Sequence, residues 1–145
     1  MKIDYFDFGD IIREKLTRDG GKSQHIMLNG GVMELWLSEN KTDIINSRYP
    51  SLKCEFRILY AIYEKALSLG GEMYLGASSA QNGQRIGSDG LSIDTIDGFI
   101  STEFYGKSIG DTTLRRSTYY AAILDWAGIA INHRGGFITI KKEFV

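Results

Sequence analysis

Residues 112–140, TTLRRSTYYAAILDWAGIAINHRGGFITI, read as a helix, a glycine stop and a short β-hairpin. Asp111 or Thr112 stands where an N-cap is needed, since a short oxygen-bearing side chain can accept from the free amides of a first turn. Leu114, Ser117, Ala121, Leu124 and Ala127 recur every three or four residues and predict the buried face of a helix over Thr112–Ala127. Gly128 suits the left-handed residue that ends a helix. Ile129 and Ile131 then alternate with Ala130 and Asn132. Arg134-Gly135-Gly136 supplies a turn, and Phe137 to Ile140 return as a second strand.

A helix that ends in Ala-Gly-Ile and runs into a basic two-stranded wing resembles the end of a winged-helix DNA-binding domain. The resemblance covers roughly the last third of the chain. It implies an α+β fold with a winged helix-turn-helix core, elaborated by an N-terminal helix and hairpin. It also implies that helix 112–127 enters the major groove of double-stranded DNA while wing 129–140 rests on the backbone. Thr112, Thr113, Arg115, Arg116 and Tyr119 fall in the first two helical turns, where a recognition helix meets base edges. Arginine there can pair with guanine, and threonine or tyrosine with phosphate. Lys107 before the helix, with His133 and Arg134 in the wing, completes the expected DNA-binding set.

Working back along the chain, Ser92 to Tyr105 has Ile93, Ile96, Ile100 and Phe104 at helical spacing, with Gly98 as a cost inside it. Ser51 to Leu69 carries Leu52, Phe56, Leu59, Tyr63, Ala66 and Leu67 on one stripe, broadened by Ile58, Ile62 and Leu69. It predicts the central helix, stopped by Gly70-Gly71. Between these two helices, Met73 to Leu75 suit one short strand. Gly76 to Gly90 reads as a mobile loop with few apolar residues. Residues 1–50 form the N-terminal elaboration and 51–145 the winged-helix unit. In the former, Phe6 to Leu16 predicts an amphipathic helix. Asn29-Gly30-Gly31 between the apolar runs of His25 to Leu37 predicts a hairpin. Ser38 to Tyr49 reads as a connection, with one helical turn at Thr42 to Asn46.

Composition bounds the function. The 145 residues are 43% hydrophobic and 24% charged, ordinary for a soluble globular protein. No apolar run is long enough to span a membrane. The acidic start MKIDYFDFGD does not suit a signal peptide, so a cytoplasmic location is expected. Cys54 is alone and falls in a helical pattern, as a buried core thiol. The net charge is −1, yet six basic residues stand against four acidic ones from Ser101 onward, with eleven against fourteen before it. That asymmetry has the sign that C-terminal DNA contacts require.

Catalytic and cofactor patterns are weak. Gly106-Lys107-Ser108 lacks the glycine of a phosphate loop, with Ser101 in its place. There is no G-x-S-x-G. His25 and His133 lack neighbouring ligands for a metal, and Asp94 and Asp97, three apart, suit a solvated helix face. No enzyme activity and no cofactor are expected. The leading expectation is a DNA-binding protein, either a transcriptional regulator or the DNA-reading module of a phage or mobile element. The alternative is a protein–protein interaction module or inhibitor with a winged-helix-like shape, and a homodimer is a further expectation.

Overall fold

The side chain of Asp4 accepts from the Asp7 amide and starts α1 (Tyr5–Arg18), whose Phe8, Ile12 and Leu16 are buried at intervals of four. This matches the helix expected over Phe6 to Leu16. The computed structural model describes residues 1–145, and its five helices and two antiparallel sheets make an α+β fold.

The first sheet has the order β1 (Lys22–Ile26), β2 (Val32–Leu37), β3 (Asp43–Asn46) and β4 (Cys54–Glu55). Its opening hairpin turns at the expected place, where the Asn29 side chain accepts from the Gly31 amide at 2.9 Å. The helical turn expected at Thr42 to Asn46 is instead β3, paired with β2 through Trp36 and Ile45. Four residues are too few to show a period, and their partners lie elsewhere in the chain. Cys54 lies in β4 rather than in a helix, paired with Ile44, and it is buried as expected.

The central helix α2 (Phe56–Ser68) begins at Phe56 rather than Ser51. Leu52 and Cys54 are buried while Ser51 and Lys53 are exposed, the alternation of extended chain. From Phe56 onward the stripe holds at Phe56, Leu59, Tyr63 and Ala66, which are buried, while Leu67 is half-buried and Leu69, just past the helix end, is exposed. Gly71 then takes a positive φ and donates to the Ala66 carbonyl at 2.8 Å.

Next comes β5 (Glu72–Tyr74). The stretch Gly76 to Gly90 is more structured than a loop: it holds α3 (Ala77–Gln81) and buries Ile86. The Ile86 amide donates to Asp111, and Ile86 accepts from Gly110, which ties this segment to the chain before the last helix. α4 (Ile96–Phe104) starts at Ile96 rather than Ser92, because the Thr95 hydroxyl caps it by accepting from Gly98.

The last helix, α5 (Ser117–Trp126), starts at Ser117, so Thr112, Thr113, Arg115 and Arg116 precede it instead of forming its first turn. Leu114, expected on its buried face, is 54% exposed. Gly128 is left-handed as expected, and β6 (Ala130–His133) and β7 (Phe137–Ile140) form the hairpin. The second sheet has the order β5-β7-β6. One cluster of 29 buried residues joins α1, β2, α2, α5 and β7. No helix is long and apolar enough to cross a membrane.

Candidate nucleic-acid interface

The approach to α5 is organised by Asp97 on α4. Its carboxylate is buried and accepts from the Arg116 amide at 3.0 Å, the Ser117 amide at 2.9 Å and the Ser117 hydroxyl at 2.7 Å. These bonds meet amides that a helix start leaves open, and a carboxylate there also suits the helix dipole. Burial nevertheless pushes the Asp97 carboxyl above the usual range, against the pull of these donors and of Arg115. Asp94 does not share its surroundings: it precedes α4, is exposed, and pairs with Lys65 at 2.9 Å.

The expected DNA-binding residues divide into two groups. Arg115, Thr112 and Arg134 are exposed and free to meet a ligand. The others have partners within the fold. Thr113 shares a short hydrogen bond with Ser101. The Arg116 guanidinium lies 4.2 Å from the centre of the Tyr105 ring, and the Tyr119 ring packs edge-on against Tyr49 at 5.5 Å. Lys107 is half-buried, its amide donating to Ser101. His133 stacks on Phe137 at 4.5 Å and its Nε2 bonds the Thr139 hydroxyl at 2.8 Å.

Seven of the ten α5 residues are buried. The helix therefore cannot lie lengthwise in a groove; only its first turn is open, through Thr118 and half-buried Tyr119. A cleft of about 310 Å³ runs from this turn along the β6–β7 hairpin, which faces the β1–β2 hairpin across it. Thr118, Asp125, His133 and Arg134 line one side, Ile26 and Leu28 the other. Asp125 is committed, accepting from the Asn132 amide at 2.8 Å. His25, also in this cleft, is held below the ordinary histidine range by burial, which outweighs the opposing charge of Asp125.

Sequence reasoning missed Asp97 as the cap of α5, and Lys53 and Tyr105 as neighbours of Arg116. Asp97 carried a signal, being an acid at helical spacing from Ile93 and Ile100, but nothing local says that a helix twenty residues on needs it. No protein family, curated protein or solved structure matches this chain.

Proposed function

We propose that this chain is a DNA-binding protein of the winged-helix type, meeting the duplex with the first turn of α5 and the β6–β7 wing. The observation that carries this is topological. The order is α2–β5–α3–α4–α5–β6–β7, with the sheet order β5-β7-β6, so a two-stranded hairpin follows directly on the last helix, and the five-residue α3 is inserted between β5 and α4. Apart from that insertion, this follows the helix–strand–helix–helix–hairpin order that the winged-helix resemblance implies, in which the last helix meets the major groove. Thr118 and Arg134 line the same cleft, and Arg115 is exposed two residues before α5 begins. Arg115 and Thr118 reach for base edges or phosphate, and Arg134 for the backbone. Arg116 plays no base-reading part, since its guanidinium is committed to Tyr105.

The test is an electrophoretic titration against a pool of random duplexes at several salt concentrations. Retardation that weakens steeply with salt supports the reading. No retardation at low salt overturns it.

A second reading is a protein-interaction module, and one observation favours it. On the hairpin side of the cleft, Ile26 is 71% and Leu28 40% exposed, an apolar rim that DNA does not need. In that case the chain is not retained on heparin, and its partner is another protein or a second copy of itself.

A further inference from the structure

Arg116 is an arginine without a counter-ion. Its Nε–H is buried and has no acceptor, and neither Arg116 nor Lys53 joins any ion pair in the fold. Closed off in this way, the Nε–H cannot itself meet an outside group, and it is the terminal N–H groups, which make no hydrogen bond within the fold and border a cleft, that are left to meet an acceptor from outside. The guanidinium is also held still. It lies over Tyr105, whose hydroxyl is 2.6 Å from that of Tyr120, a buried residue of α5.

Arg116 faces a cleft of about 360 Å³ lined by Tyr49, Ser51, Lys53, Glu55 and Tyr105. Lys53 and Ser51 are exposed at its mouth. The one carboxylate in the lining, Glu55, is already gripped by Arg57 at 2.9 and 3.4 Å. The nearby Asp97 carboxylate is turned to the amides of Arg116 and Ser117 rather than to the guanidinium. The cleft therefore presents a planar fork, a flexible ammonium and a hydroxyl with no free acid to neutralise them. A rigid guanidinium with a second cation suits a tetrahedral oxyanion, whose oxygens accept from several directions at once.

We propose that this cleft is a phosphate subsite, in which Arg116 and Lys53 hold the non-bridging oxygens of a backbone phosphodiester and Ser51 donates to the same group. The source of the phosphate rests on the DNA-binding reading: the cleft and the exposed Arg115 and Thr118 meet at the same end of α5. The subsite carries affinity without sequence preference, and fixes how deeply the helix end enters the groove.

Two arms test this with the full chain. In the first, inorganic phosphate is titrated while the Arg116 Nε–H resonance is followed by NMR. A saturable shift is expected, absent with chloride at equal ionic strength and absent in Arg116→Gln. In the second, random duplex is titrated against wild type, Lys53→Gln and Arg116→Gln. Each variant should bind about tenfold or more weakly, as for loss of one charge-assisted bond, on all sequences alike. Each should also lower the salt slope by about one. Lys53 is exposed, so its variant reports on binding even if Arg116→Gln loosens the fold. Unchanged duplex affinity and slope in both variants overturns the subsite and leaves the DNA reading standing. A phosphate response without any duplex binding overturns the DNA reading and leaves the cleft as a site for another phosphate ester. Neither response overturns both.

Discussion

Asp97 and Ser117 are joined twice over: the carboxylate accepts from both the amide and the hydroxyl of Ser117, at 2.9 and 2.7 Å, and so caps α5 from the neighbouring α4. The residue at the N-cap position itself, Arg116, provides no side-chain cap. Asp97→Ala should therefore cost about 3 kcal/mol or more, the scale of losing charge-assisted bonds from a buried site. Urea unfolding measures it, and a loss below about 0.5 kcal/mol, as at an ordinary surface site, would show that the cap is dispensable.

The same carboxyl sets a pH dependence. Burial raises the pKa of Asp97 in the folded chain, so the folded state keeps this proton where the unfolded state has already lost it. Stability contributed by Asp97 is then fully present below the ordinary aspartate range, declines as pH rises toward the raised folded value, and is flat above it. Asp97→Asn lacks this decline. The stability of wild type minus that of Asp97→Asn should fall across that window; a difference that grows with pH would show the donors outweighing burial.

Gly98→Ala should destabilise the chain, although alanine favours a helix interior by about 1 kcal/mol over glycine. A Cβ on Gly98 would run into the Ser92 carbonyl oxygen, a backbone atom that cannot swing aside. Thermal unfolding decides the sign, and a raised midpoint would refute the close approach.

Ile86 pins the segment that the sequence suggests is loose. Ile86→Ala should cost roughly 2–5 kcal/mol if the site does not collapse. It should also speed trypsin cleavage at Arg85, which is exposed but held by its side-chain bond to the Gly110 carbonyl. Equal cleavage rates at Arg85 in wild type and variant would show that Ile86 does not hold the segment.

Arg134→Ala is expected to weaken every duplex alike and reduce the salt slope by about one, as for a backbone contact. Arg115→Ala should cost about 1–3 kcal/mol and relax preference at one base pair if it reads a base. Binding titrations on a selected site and its single-base variants separate the two. An Arg115 effect uniform over all sequences would reassign it to phosphate.

Cys54 should resist thiol reagents in the folded chain. Burial pushes its thiol up to about 12, despite the neighbouring Tyr120 hydroxyl and the charge of Arg116, so little thiolate exists at pH 8. One equivalent should react in urea and almost none without it; rapid labelling of native protein would place Cys54 nearer the surface.

What the sequence determined by itself is local. The Gly128 stop, the β6–β7 hairpin, the Asn29-Gly30-Gly31 hairpin and most of the apolar stripe of α2 follow from turn chemistry and side-chain period, which act over a few residues. Within the candidate site, Arg115 and Arg134 were legible as exposed cations for the same reason. The start of α5 was not. Thr112 to Arg116 carries helical spacing, but Asp97 places the cap at Arg116 and Ser117, and the chain before it pairs with Ile86. Strand β3 was invisible because its partners, Trp36 and Cys54 among them, come from other parts of the chain. Arg116 shows the division most sharply. Its residue type predicted an outward cation, while a ring on α4's C-terminal flank, Tyr105, turned it into a fixed one. Such contacts between residues distant in sequence exist only once the elements pack, so tertiary structure alone decided which arginine is free and which is held.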